Sequence, residues 1–176
     1  MILIINTSGN GIDLVLDDQF MHMDAQKQAI GLPNAVNDFM KQNNIDMKDL
    51  TAIGVIVGPG SFTGIRMGIA YAKGLGIGLN IPVIPVNLFE LYLYENPDAF
   101  VAIDSGRGDF FVASKIHEPG TMTIDEVETE QMKCPKTVGH EPFNLQNALY
   151  IVQNKINSGK LEPAIPMYLR PSYVEK

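Results

Sequence analysis

The sequence predicts an α/β protein of two duplicated lobes, each a mixed β-sheet with helices packed on it. Three observations carry this expectation. Three short apolar runs open the chain and are followed by a strand–helix–strand pattern. A glycine-rich turn at residues 58–64 joins a β-branched run to a long helical stretch. The tetrapeptide Ser8-Gly9-Asn10-Gly11 has an echo in Ser105-Gly106-Arg107-Gly108, and apolar runs flank both. A strand meander followed by a βαβ unit gives a sheet of mixed direction with helices on its faces.

Residues 2–5 are apolar and lead into Asn6-Thr7-Ser8-Gly9-Asn10-Gly11, rich in turn formers; residues 12–16 are apolar again, so the pair reads as a hairpin. Residues 20–23 form a third strand after Asp17-Asp18. Leu32, Val36, Phe39 and Met40 recur at helical spacing, and that helix runs to about Asn43. Residues 51–57 are a run rich in β-branched residues, the pattern of a buried parallel strand. A helix is expected from about Thr63 to Leu79 and a short strand over 82–85. Asn87, with Glu90 three residues on, is a capping-box pattern opening a helix whose apolar face is Leu88, Leu91 and Tyr92.

The first lobe is expected over 1–98 and a shortened second lobe over 99–176. Residues 100–103 read as a strand, 104–108 as a turn, 110–115 as its return and 121–127 as a third strand. Leu145, Ala148, Leu149, Val152 and Ile156 mark a helix with Asn144 as its cap and Gly159 as its stop. The tail after Leu161 has no clear pattern. Glycine suits any tight hairpin turn, but the matched surroundings of the two Ser-Gly-x-Gly turns favour an internal duplication, and lobes so duplicated make a cleft between them.

Composition narrows the function. Of 176 residues, 45% are hydrophobic and 19% charged, as in globular proteins. A net charge of −7 argues against bare nucleic-acid binding, which needs a basic surface. One cysteine, Cys134, excludes an internal disulfide. The first five residues lack the basic start of a signal peptide. The apolar stretch 68–93 is broken by Lys73, Asn80, Pro82, Pro85 and Glu90, so no membrane span is expected. The expected compartment is the cytoplasm.

The turn Gly58-Pro59-Gly60-Ser61-Phe62-Thr63-Gly64 is the sharpest feature. At a helix start, free N–H groups and the helix dipole favour anions. The plainer reading is a strand-to-helix turn that needs glycine. The second is favoured, because the turn lacks the G-x-x-x-x-G-K-[ST] pattern. In the helix that follows, Gly64, Gly68, Ala72 and Gly76 fall four apart, and Ala70, Gly74 and Gly78 form a second small row. Each interior glycine costs a helix about 1 kcal/mol against alanine. A smooth ridge admits a close helix, so the first row is the candidate partner interface; packing against the lobe's own sheet is the alternative.

Nucleotide hydrolysis is a second function class. Asp104 and Arg107 are candidate cleft residues, with Asp104 able to offer one carboxylate. The matching place in the first lobe holds Asn6, which is no general base, and the chain has no Gly-Gly pair. Metal catalysis has less support: His22, His117 and His140 lie far apart with no i, i+4 pair. Arg107-Gly108-Asp109 reads as a hairpin turn, and Ser61 lies outside any G-x-S-x-G.

Residues 57–68, from Val57 through Gly58, Pro59, Gly60, Ser61, Phe62, Thr63, Gly64, Ile65 and Arg66 to Met67 and Gly68, resemble the signature of the bacterial TsaB (YeaZ) family. Similarity extends to Ile4-Ile5-Asn6-Thr7-Ser8, to Ile103-Asp104-Ser105-Gly106-Arg107-Gly108-Asp109-Phe110-Phe111 and to Pro166-Met167-Tyr168-Leu169-Arg170-Pro171. The resemblance implies an actin-like, Hsp70-like ATPase fold of ribonuclease H-like type. It implies a non-catalytic scaffold in making threonylcarbamoyladenosine on tRNA, pairing with a catalytic TsaD-like paralogue that a TsaE-like ATPase joins. No cofactor is then bound by this chain; ATP and a metal belong to the partner side, and tRNA is met only through the complex. A homodimer is a further association it allows. Asn6 stands where the family usually has aspartate, and the second lobe is shorter than usual. A stand-alone ATPase and a metallopeptidase-like protein are the alternatives.

Overall fold

A computed structural model describes residues 1–24 and 28–169. Contacts divide the chain into two compact units, 1–87 with 145–166, and 88–144 with the segment from 167 onward.

The first unit begins with β1 (Ile2–Asn6), β2 (Gly11–Leu16) and β3 (Gln19–Asp24), an antiparallel meander. α1 (Gln28–Gln42) leads to β4 (Ala52–Ile56), which lies parallel to β1. α2 (Phe62–Leu79) leads to β5 (Val83–Val86), parallel to β4. The sheet order is β3-β2-β1-β4-β5. Every residue of β4 is buried, as expected of a strand covered on both faces, whereas β3 at the edge alternates exposed and half-buried. A single turn of 3-10 helix, Met47–Asp49, precedes β4 and is closed by a capping box from Asp46.

The two faces are covered by different helices. A side chain added at Gly76 in α2 would meet Val83, and one added at Gly54 would meet Val152. Val83 pairs with Ile53, the neighbour of Gly54. Successive residues of a strand point to opposite faces, so α2 covers one face and the helix carrying Val152 the other. That helix, α5 (Asn147–Asn157), packs on β5, β1 and β4. On the α2 face, α1 buries Leu32, Ala35, Val36, Phe39 and Met40.

The second unit holds α3 (Leu88–Glu95), β6 (Phe100–Asp104), β7 (Asp109–Ala113), β8 (Gly120–Thr123), α4 (Ile124–Gln131) and β9 (Thr137–Val138). β6, β7 and β8 form an antiparallel meander and β9 lies parallel to β6, giving the order β8-β7-β6-β9. Each unit thus runs β-β-β-α-β, with the fourth strand beside the first. The core falls in two layers: Phe89, Tyr92, Ala99, Val101, Ala113 and Val138 on one side, and Phe100, Ala102, Val112 and Val127 on the other.

The structure differs from the sequence reading at several places. The boundary at 98/99 is not where contacts divide the chain. α3 joins the second unit through Phe89 and Tyr92, and α5 joins the first. Residues 121–127 are not one strand: β8 ends at Thr123, which caps α4. β9 was not foreseen. The N-cap of α5 is Gln146, whose side chain makes no capping bond to the helix, and not Asn144. In the closing motif, Met167 and Leu169 pack against the first core layer of the second unit, while Arg170 and Pro171 lie outside the described residues.

Candidate functional site

β4 hands the chain to the glycine turn, which closes back onto the turn after β1. The Gly58–Pro59 peptide is cis. Gly60 has a φ of 152°, where a side chain would be strained, and a side chain there would also strike the Ser8 carbonyl. Ser61 N donates to Ser8 O at 2.7 Å. Ser61 Oγ accepts from Gly64 N at 3.3 Å, making Ser61 the N-cap of α2. Thr7 Oγ1 donates to Gly64 O at 2.7 Å in a buried bond. At its far end α2 stops at Asn80, whose left-handed φ of 55° breaks the helix.

Part of the donor capacity of the turn is already used internally. Ser61 N and Gly64 N are engaged inside the turn, Pro59 has no N–H, and the space beside Gly60 is filled by the Ser8 carbonyl, itself an acceptor. Within the loop signature Gly58, Pro59, Gly60, Ser61, Phe62, Thr63 and Gly64, residues Gly60, Ser61 and Gly64 close directly onto Thr7 and Ser8. Arg66 reaches back over the Phe62 ring at 3.8 Å, a cation–π contact on the helix exterior.

The row expected to be the partner interface is turned inward. A side chain at Gly64 would run into the Thr7 carbonyl and one at Gly68 into Thr7 Oγ1; Ala72 is fully buried; Gly76 faces Val83. The row Gly64, Gly68, Ala72 and Gly76 packs on its own lobe, and the reason is steric: the first turn and β5 come too close for any larger residue. The second row is the outward one. Ala70, Gly74 and Gly78 are exposed, added side chains at Gly74 and Gly78 would meet nothing within 4 Å, and Ile77 beside them is 83% exposed.

Asn6 is buried at the end of β1. Its Oδ1 accepts from Ser8 N at 3.0 Å and Ser8 Oγ at 2.7 Å, and its Nδ2 donates to Asp13 Oδ2 at 2.9 Å. Asp13 Oδ1 takes a 2.6 Å bond from His22 Nδ1, and His22 Nε2 lies 3.5 Å from Asp24 Oδ1. The hydrogen bond that His22 donates to Asp13 holds the His22 pKa above its ordinary value, against partial desolvation. His22 is therefore not the isolated surface histidine its sequence spacing suggests. The signal was available: the two-residue connection Asp17-Asp18 sets Leu16 opposite Gln19 and so Asp13 opposite His22.

The other candidates stay local. Asp104 and Arg107 are exposed on the β6–β7 hairpin, where Asp104 Oδ1 accepts from Gly106 N at 2.7 Å. Ser105 Oγ bonds Asp109 and accepts from Arg107 N, so the second Ser-Gly-x-Gly turn is also self-closed. His117 Nε2 pairs with Glu130 Oε2 at 3.1 Å, and His140 meets the Phe110 ring edge-on. Among the described residues, no three His, Cys, Asp or Glu side chains converge as a metal site would require, and no helix is long and apolar enough to cross a membrane.

Two sheets of the same β-β-β-α-β pattern, each opened by a self-closed hairpin, define a ribonuclease H-like, actin-like α/β protein. A family model described as TsaD, tRNA N6-adenosine threonylcarbamoyltransferase, matches residues 24–166, and the chain belongs to this family, on its TsaB (YeaZ) side. It is 31% identical over 91 residues to a Haemophilus influenzae protein named tRNA threonylcarbamoyladenosine biosynthesis protein TsaB, covering 47% of this chain and 38% of that one. It is 25% identical over 126 residues to a protein of the same name from Buchnera aphidicola, covering 68% and 57%. The matches thus span about 38% and 57% of those relatives' own lengths. The solved YeaZ structure from Pseudomonas aeruginosa superposes with a TM-score of 0.72 at 18% identity, covering 96% of this chain and 99% of that one, which supports the fold.

Proposed function

We propose that this chain is a non-catalytic scaffold subunit in tRNA threonylcarbamoyladenosine biosynthesis, binding a catalytic TsaD-like paralogue through the outer face of α2. The observation that carries the reading is the division of α2 into two small-residue faces. The inner row is filled by the lobe's own Thr7 and Val83, so it answers an internal need. The outer row, Ala70, Gly74 and Gly78, has no such internal need. Exposed helical glycines cost stability, and a close helix–helix approach offsets that cost. A belonging to the family of the transferase itself supports a paralogue as the partner. In this reading a TsaE-like ATPase joins the pair, and ATP, metal and tRNA are held outside this chain.

Co-expression with the TsaD-like protein of the same cell tests the proposal. The wild-type chain should co-elute with it. Gly74→Leu and Ile77→Glu should abolish co-elution while melting at or slightly above the wild-type temperature, because exposed substitutions shift stability by only about 0.5 kcal/mol. A complex that survives both changes would refute the interface. Tight stoichiometric binding of ATP or ADP by the isolated chain, seen by calorimetry with magnesium, would favour a stand-alone ATPase.

A further inference from the structure

We propose that His22, Asp13, Asn6 and Ser8 form a proton-linked relay that sets the position of the glycine turn at the start of α2. The chain of bonds is continuous. His22 Nδ1 bonds Asp13 Oδ1 at 2.6 Å, Asn6 Nδ2 donates to Asp13 Oδ2 at 2.9 Å, Ser8 N and Oγ both donate to Asn6 Oδ1, and Ser61 N donates to Ser8 O at 2.7 Å. It runs from the edge strand, where His22 is 47% exposed on its side chain, to the N-cap of α2, passing through Asn6, which is 1% exposed.

The direction of each bond follows from the chemistry of the groups. An ionised Asp13 can only accept, so it fixes which end of the Asn6 carboxamide faces it. Asn6 Oδ1 is then turned to receive both Ser8 donors. That pair of bonds orients Ser8, and the Ser8 carbonyl is the acceptor on which Ser61 N rests. Protonated His22 supports this order with a charge-assisted bond to Asp13 and an attraction to Asp24; neutral His22 keeps an N–H for Asp13 but loses the charge. Bonds inside a buried network polarise one another, so loss of charge at the rim weakens the hold on the turn.

The groups acting on His22 are few. β2 presents Asp13 and β3 itself presents Asp24. α1, which also packs on β3, carries Asp38 and Lys41 among its described residues, and neither figures among the causes of the raised His22 pKa. A raised folded-state value means that folding favours the protonated ring. The contribution is full below the ordinary histidine value of about 6.5 and fades as pH rises through the raised value.

The inference does not depend on the partner reading, because the isolated chain carries every readout. Amide and imidazole resonances would be followed by NMR from pH 5 to 9. The His22 ring should titrate above its ordinary value, and the Ser8 and Ser61 amides should shift with the same midpoint. Asp13→Asn should lower the His22 midpoint and uncouple the amides. Asp24→Asn should lower it less and leave them coupled. His22→Gln should leave both amides flat. Should Asp13→Asn fail to fold, His22→Gln decides alone, since its side chain is half exposed. Amides that ignore the His22 midpoint, or that still titrate in His22→Gln, would overturn the relay.

Discussion

Gly68 has no room for a side chain. The hydroxyl of Thr7 occupies the place a Cβ would take, and that hydroxyl is itself bonded to Gly64 O. Gly68→Leu should therefore destabilise the chain by about 1–3 kcal/mol through overpacking. Gly68→Ala should cost less, because the displaced hydrogen bond, about 1 kcal/mol, is offset by a similar gain in helix propensity. Denaturant titration of both variants checks the order; a Gly68→Leu chain as stable as wild type would show that the row does not face inward. The spacing of small residues predicted the ridge but left its direction open, because two rows four apart are both present. They lie two residues, about 200°, from one another. Their neighbours resolve them: buried Ile65 and Ile69 flank the inner row, and Arg66 and Lys73 flank the outer. At position 6, sequence reasoning saw only a missing carboxylate. Strand register shows Asp13 placed opposite Asn6, so a carboxylate is present at this turn, supplied by the neighbouring strand.

Elements were legible where one signal dominated. The strands β1, β2 and β4 and the helix α2 follow their hydrophobic patterns closely. β9 has only two residues, too few for any period. The stretch 121–127 held competing signals: its threonines, Ile124 and Val127 favour a strand, while Thr123 and Glu126 stand at capping-box spacing. The cap prevails, with Thr123 Oγ1 accepting from Glu126 N and the Glu126 carboxylate accepting from Thr123 N at 2.8 Å. The Thr123 N–H, then its hydroxyl, holds the Glu126 carboxyl below its usual pKa. A depressed folded-state value gives stability that is full above the usual carboxylate pKa and is lost as pH falls through the depressed one. Thr123→Ala should weaken the start of α4 by about 1 kcal/mol. Hydrogen exchange of the 124–131 amides should quicken in the variant near pH 7. Acid should narrow the gap between variant and wild type; a gap that widened in acid would contradict the box.

On the scale of the molecule, the duplication was visible because both lobes open with the same kind of hairpin, and each sheet places its fourth strand beside its first. Ownership of the last helix was not visible. A helical period states that one face is apolar but not what covers it. α5 lies about sixty residues beyond β5 in the sequence, yet its Ala148, Ile151 and Val152 and the preceding Leu145 are buried, Val152 fills the space beside Gly54, and Lys155 Nζ donates to Pro85 O at 2.8 Å. Burying an aliphatic side chain of this size stabilises by about 1.5–3 kcal/mol, so Leu145, Ile151 and Val152 together contribute about 5–9 kcal/mol by that measure. That is comparable with the whole stability of an ordinary domain, about 5–15 kcal/mol. A fragment cut at the expected lobe boundary, 1–98, leaves this face of β1, β4 and β5 bare. It should unfold without a sharp transition and bind a hydrophobic dye. A fragment of 1–87 joined by a flexible linker to 143–166 should regain cooperative melting. If 1–98 melts cooperatively and shows no dye binding, α5 is an accessory and the first unit is complete without it.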